Sequence, residues 1–408
     1  MRTPTALATG GVVLGMLLAG AAPAVASRPD DRPTSRPTEA TRPPRPRPTA
    51  SPSPTSTPPP TATATPSPTG TPSPTGTPSP TGTPSPTGSP TATTPAPMPT
   101  ADRTVVVLPS LDGLSTSASD VNGQGVVAGS ARLASGYWHA VRWVDGRIED
   151  LGTLGGLNSQ AEAIDERGRI VGTSQDAEGR SHAVAWVDGR IQDLGLTGGI
   201  FSIAYDTAGD RVVGVYHVTD SFSGRRAFVR TGDTEVTIDV PPGASATAVN
   251  DAGMVAGTYG WQDWDDPAPD DYQAFVWRDG VTRPLGTLGG ATSTANGIND
   301  LGQVVGTSWT ADGVFAAFFW DGSTMRRLAT TAVSPTAQAV NDSGLVVGTE
   351  GHGDRAMIWP DPSASSQLLP LPSDAVGSRA INVNDQGVIV GQVDYLSPSW
   401  HGRAVVWR

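Results

Sequence analysis

The 408-residue chain contains no cysteine and no lysine; arginine supplies all 27 of its basic side chains. Without cysteine, no disulfide supports the fold, and lipid attachment to an N-terminal cysteine is excluded. Stability has to come from burial. That is feasible for a folded part of roughly 300 residues, which hides about three quarters of its unfolded-chain surface. Positive charge is in short supply: the net charge is -12. Binding to phosphate backbones needs clustered positive charge, so nucleic acid is not the expected partner. Long apolar runs are absent apart from one near the start, which is too short for a comfortable transmembrane helix. Histidine is scarce, with five in all: His139, His182, His217, His352 and His401. No Gly-x-Ser-x-Gly motif occurs.

What is present falls into three zones. Residues 1–26 read as a secretory signal peptide, with Arg2, the apolar run Gly10–Gly20 and the small-x-small site Ala24-Val25-Ala26 before Ser27. The protein is therefore expected to be secreted, either extracellular or cell-wall associated, with no transmembrane segment after cleavage. Residues 27–102 are Pro, Thr, Ser and Ala with scattered Arg, and "TPSPTG" repeats four times in tandem from Thr65 to Gly88. Such composition cannot bury enough apolar surface to offset the entropy of ordering, which predicts a disordered linker. Fully extended, it would reach on the order of 200 Å.

From 103 to 408 the composition changes and one pattern recurs. "NDAGMVAG" at Asn250 has relatives at Asn122, Asp165, Asp206, Asn299, Asn341 and Asn384. Their turn glycines lie 41 to 49 residues apart. A second signature runs in phase: alanine (Ala140, Ala183, Ala227, Ala274, Ala317, Ala356, Ala404), then three residues on a tryptophan, replaced once by Arg230. A third is "LGTLGG", at Leu151 and Leu285. Each unit thus holds four short apolar runs, a to d, bounded by Asn, Asp and Gly. Runs of four to six residues rich in Val, Ile and Trp are strands, and the short a–b and c–d links make hairpins. Four strands repeated seven times predict an all-β, seven-bladed β-propeller of four-stranded blades. The first unit opens on a d-type strand at Val105, and the last ends on a c-type strand at Trp407. Ring closure therefore predicts that Val105–Leu108 pairs with Ala404–Trp407.

These motifs resemble those of the HAF family of extracellular repeat proteins, named for the tripeptide before the strand-c aromatic. It stands here as "HAV" at His139 and His182, then as "RAF", "QAF", "AAF", "RAM" and "RAV". The resemblance covers Val105 to Trp407. It implies secretion and a repeat fold, and no established activity. The third unit departs most: Arg230 stands for Trp, and Asp210 is read as an extra turn residue.

Asx followed three residues later by Gly is what a tight turn requires. A calcium loop would need more oxygens at alternate positions and a later acid, so no metal and no cofactor are expected. The in-phase tryptophans read as packing between blades, with the alanine allowing close approach. His139 and His182 sit at a motif position and read as structural.

The candidate site lies elsewhere. In a four-stranded antiparallel blade, the a–b and c–d hairpins share one face of the disc. The b–c loops and d–a connections share the other, and they vary. They carry Tyr137, Trp138, Trp309 and Trp400, with the longest loop, 258–273, adding Tyr259, Trp261, Trp264, Asp265, Asp266 and Tyr272. Variable loops on a rigid scaffold are common binding sites, and aromatics with carboxylates suit sugars or protein anchors. The alternative is a solvated loop whose tryptophans fold back on the blade edge. The expected function is a binding module for an extracellular glycan or protein, acting as a monomer. The rivals are a propeller-type polysaccharide hydrolase or lyase with a carboxylate pair near the central opening, and a purely structural surface protein.

Overall fold

The structure is a computed structural model, and it describes residues 103–196, 199–219, 224–260, 272–351, 355–396 and 400–408. The signal-like segment and the Pro/Thr-rich stretch lie outside the described residues. No helix among the described residues is long and apolar enough to cross a membrane.

Among the described residues, twenty-eight strands form seven four-stranded antiparallel sheets. Blade 1 is typical: strand a Thr116–Val121, b Val127–Arg132, c Trp138–Val144 and d Arg147–Asp150, hydrogen-bonded in that order. The a strands of blades 2 to 7 are Gly155–Ile164, Phe201–Ala208, Ser245–Val249, Gly289–Ile298, Thr336–Val340 and Gly377–Val383. Each a strand touches the a strands of the blades on both sides, so these seven line the axis. Blade 7 closes as the end pattern predicts. Its d strand is Val105–Val107, and the register pairs Val105 with Trp407 and Val107 with Val405. The Leu108 N–H continues the ladder to the Ala404 carbonyl at 2.8 Å. Ring closure thus gives the last blade its fourth strand.

The core lies between blades. Trp143, Trp186, Trp320, Trp359 and Trp407 are at most 3 % exposed, and each packs with the motif alanine of the preceding blade, as Trp186 does with Ala140 and Trp407 with Ala356. Burying one such side chain is worth about 2–3 kcal/mol, and the alanine lets the sheets approach closely enough to collect it. The indole N–H of Trp143, Trp359 and Trp407 donates to a carbonyl of the preceding blade, at Pro109, Ala329 and Pro370, each 2.8 Å. Arg230 takes over that role in blade 3, donating to the Leu194 carbonyl at 2.7 Å. Its departure from the motif thus conserves a donor while losing a ring.

Strand b ends its apolar run on a glycine because strand a carries a β-bulge opposite. At Gly348 a Cβ would lie 1.9 Å from the Thr336 carbonyl oxygen, and all seven blades repeat that arrangement.

Candidate functional site

The two faces of the disc are built differently. On the a–b/c–d face, Asn122 caps its own turn through Oδ1, which accepts from the N–H of Gln124 and Val126. Its Nδ2 then donates to the Asp165 carbonyl of the next blade. Asn250, Asn299, Asn341 and Asn384 do the same toward Asn299, Asn341, Asn384 and Asn122. The repeated Asn is therefore a turn cap and a strut between blades. Asp165 has no amide to donate. There Arg169 pairs with it at 3.3 Å and donates to the Gly209 and Arg211 carbonyls of blade 3.

Blade 3 corrects two sequence readings. Asp206 is not the capping Asx of its turn; it pairs with Val213 in strand a, just past the bulge at Tyr205, and Ala208 occupies the cap position. Asp210 does not lengthen the turn. Ala208 pairs directly with Arg211, leaving a two-residue Gly209-Asp210 turn, one residue shorter than in blade 1.

The second turn position adds carboxylates around the axis. The N–H groups of Gly123, Asp251, Asp300 and Asp342 donate to Glu166, Asp300, Asp342 and Asp385, at 2.8–2.9 Å. Burial and like charge from neighbouring aspartates push the Asp300 and Asp342 carboxyls up. No group of three or more His, Asp or Glu among the described residues could hold a metal ion.

On the b–c/d–a face the links are between loops. A strand-a hydroxyl accepts the N–H of the preceding blade's motif alanine: Ser159 from Ala140, Ser202 from Ala183, Ser293 from Ala274, Ser378 from Ala356 and Thr116 from Ala404. His139 binds Asp150 at 2.9 Å, and His182 bridges Asp176 and Asp193 at 3.0 Å each, so both are structural clamps.

Most exposed large apolar side chains lie on this face. Among the described residues they are Leu114, Tyr137, Leu157, Ile200, Val218, Val314, Val333, Val376, Leu396 and Trp400, against Val281 and Leu301 at the opposite turns. The b–c and d–a segments of blades 7, 1 and 2 supply five of them: Leu396, Trp400, Leu114, Tyr137 and Leu157. Hydrogen bonds from Ala134 N–H to Asp112 and from Trp138 N–H to Asn158 draw these segments together.

The sequence-predicted residues divide accordingly. Tyr137 and Trp400 project into solvent, at 38 % and 52 % exposure. Trp138 and Tyr272 are half-buried. Trp309 is half-buried and edge-on to Phe315, with centroids 5.6 Å apart. Tyr259 turns inward onto Phe275, at 5.9 Å, within the packing between blades 3 and 4. Trp261, Trp264, Asp265 and Asp266 lie outside the described residues.

Around the axis stand three carboxyls from consecutive blades. Burial raises Asp120 to about 6, Glu162 to about 7 and Asp206 to about 8. Asp120 is saturated: Oδ1 accepts from Val121 N–H and Asn382 Nδ2, and Oδ2 from Ile164 N–H. Asp206 likewise accepts from Thr207 and Val249 N–H. Among the described residues, Asp120 and Asp206 are therefore not a pair of free acids. Glu162 is different. It is partly open to solvent yet ringed by protein, and among the described residues no hydrogen bond or ion pair holds its carboxyl. Thr247 and Asn296, at the same inner-strand position, reach the Ala295 and Ala337 carbonyls of the following blade. Glu162 correspondingly faces blade 3, where its charge is felt by Tyr205, whose phenol is hydrogen-bonded to Arg225. Sequence reasoning passed over Glu162; its only signal was an acid at an inner-strand position that other units fill with neutral residues.

No protein-family model matches the chain, and no curated protein matches it. The HAF resemblance therefore rests on the motifs alone. Solved structures of similar fold include the β-propeller domain of the Trilobed protease from Pyrococcus furiosus, at 10 % identity and TM-score 0.48, covering 72 % of this chain and 93 % of that one. YCF48 from Cyanidioschyzon merolae is similar at 11 % identity and TM-score 0.45, covering 74 % and 98 %. The Pyrococcus horikoshii acylaminoacyl peptidase is similar at 8 % identity and TM-score 0.47, covering 71 % of this chain and 50 % of that one, so the chain spans half the peptidase's length. The chain's own strand order, and not these likenesses, makes it a seven-bladed β-propeller.

Proposed function

We propose that the propeller is a binding module for an extracellular partner, engaged through the b–c/d–a face over blades 7, 1 and 2. The observation that carries this reading is that both exposed aromatic side chains among the described residues of this face, Tyr137 and Trp400, stand there, in segments that also expose Leu114, Leu157 and Leu396. Contiguous apolar exposure on a soluble scaffold marks interaction surfaces, and interface anchors are enriched in Tyr and Trp. Sugars stack on aromatic faces but gain little from leucine, so the mixture of Leu114, Leu157 and Leu396 with the aromatics favours protein over glycan. The test is a pull-down from extracellular fractions alongside a glycan array, each run with wild type and a Tyr137→Ala/Trp400→Ala double variant. Capture lost in the variant supports the reading; capture unchanged in both assays overturns it.

A second reading, a polysaccharide hydrolase or lyase, is favoured by one specific observation. Glu162 is an unbonded carboxyl with a pKa near 7, close to the Tyr205 phenol, and such a group is suited to general acid–base work near neutral pH. Polysaccharide turnover abolished by Glu162→Gln at unchanged melting temperature would favour it over the binding reading. Absence of turnover across a polysaccharide panel would remove it.

A further inference from the structure

The a–b/c–d face is acidic and polar with one exception. Between blades 4 and 5 lies a cleft of about 270 Å³, lined by Met254, Trp277, Val281, Leu301 and Trp320, with Arg278 and Arg283 at its outer rim. Val281 and Leu301 are 70 % and 66 % exposed, and they are the two large apolar side chains that the turns of this face present to solvent. Both break their own repeat. The position of Val281 after Asp-Gly is Arg147 in blade 1 and Arg190 in blade 2. The position of Leu301 in the a–b turn is Gln124, Arg167, Ala252, Ser343 or Gln386 elsewhere. Two independent departures from a pattern of polar or small residues thus meet across one cleft.

The tryptophan there also departs. Trp277 is only partly buried, whereas the other five strand-c tryptophans are fully packed. The cleft is held open by fixed groups. Arg283 lies over the Trp320 ring, 5.2 Å from its centroid, and donates to the Gly322 carbonyl at 3.0 Å.

Charge on the two sides of the cleft is opposite. Toward the axis stand Asp251 and Asp300, joined by the Asp251 N–H to Asp300 bond, with Asp342 next in the ring. The outer rim is arginine, and Arg278 there is half-exposed beside Asp279 at 3.6 Å. We propose that this cleft is a second interaction site, taking a bulky apolar side chain of an extended cationic peptide segment from another protein. The apolar residue fills the cleft, and its lysine or arginine neighbours lie over the carboxylates on the axis side. The volume suits one side chain, and apolar pockets with a few placed charges are how such anchors are read. Opposite charge on the ring steers the approach. The site is separate from the b–c/d–a face and does not depend on the reading given to that face.

The test uses a fluorescein-labelled octapeptide of glycine and lysine with one central leucine, and analogues in which leucine becomes alanine or lysine becomes glutamate. The variants are Val281→Arg and Leu301→Ser, which restore residues other blades carry and so fit the fold. Wild type should bind the leucine–lysine peptide saturably below about 1 mM, with affinity falling at least tenfold in either variant and with either analogue, and falling again at high salt. Equal binding by wild type and variants, or no binding at about 1 mM, overturns the proposal. So does tighter binding of the glutamate analogue. Self-association in sedimentation that Leu301→Ser abolishes would assign the cleft to a second copy of this chain and overturn it as well.

Discussion

The two faces of the disc are made by the same seven repeats and have opposite characters. At the a–b/c–d turns the repeat is kept, because each Asn binds two blades at once, its own turn and the next one's carbonyl. Any substitution there is felt twice. At the b–c loops the repeated link to a neighbour among the described residues is the one from backbone to a strand-a hydroxyl, and length and composition drift. Regularity marks where the ring is fastened. Variation, together with exposed Tyr137, Leu157, Leu396 and Trp400, marks where the ring is free to meet something else.

The comparison can be broken or sharpened by experiment. The largest effect is expected from the scaffold that both faces share. Gly348→Ala drives a Cβ into the Thr336 carbonyl at 1.9 Å and is expected to cost more than about 3 kcal/mol in denaturant unfolding. A loss below about 1 kcal/mol would show that the bulge gives way and that the faces are less rigidly coupled than described.

The next largest is a pH effect from the axis. Asp120, Glu162 and Asp206 have folded pKa values of about 6, 7 and 8, above their ordinary values. Each therefore holds its proton more firmly folded than unfolded. Their stabilising contribution is complete below about pH 4 and is lost as pH rises through the folded values. The melting temperature is expected to fall by roughly 5 °C between about pH 5 and pH 8, and Glu162→Gln should flatten the part of the slope near neutrality. A melting temperature that rises over that interval contradicts the assignment.

Smaller effects compare the faces directly. Asn341→Ala removes the cap on Leu345 N–H and the bond to the Asn384 carbonyl, and should cost about 2 kcal/mol. Ser159→Ala on the opposite face removes one acceptor for Ala140 N–H, and should cost about 1 kcal/mol. If the order is reversed, the turn ladder is not the stronger fastening. Smallest of all, Tyr137→Ala and Trp400→Ala should each cost less than about 1 kcal/mol, because both side chains are exposed on the loop face and belong to none of the clusters packed between blades. A larger loss would mean that these residues support the blades.

Much of this architecture is legible without coordinates. The 41–49-residue period, the Asp-Gly turns and the unmatched strand at each end suffice for seven blades and for the closure of blade 7. Asp145, Asp188 and Asp279 do adopt the positive φ that such turns require. The struts were not legible, because a turn-capping Asn and a blade-bridging Asn are the same letter. The Asp206 error has a related cause: an Asx inside strand a and an Asx at its turn are the same letter too, and only the register that pairs Asp206 with Val213 separates them. Side-chain direction decides the candidate site. Tyr137 and Tyr259 both flank a b–c loop, but one is in solvent and the other lies against Phe275. Composition alone does not separate them.

The shared strand order of blade 7 has a consequence in time. Its d strand comes from the first part of the propeller to be synthesised and its a, b and c strands from the last, with Val105 paired to Trp407. Six blades can form as local hairpins in the order they are made, but the seventh must wait for Trp407. Until then Val105–Val107 and the flank of blade 6 are open edges, and closing the ring joins residues separated by nearly the whole length of the propeller. Contacts of that separation are slow to form, and unpaired edges invite association while they last. The same pairing that makes the finished ring durable sets its slowest and most exposed moment at the end of folding.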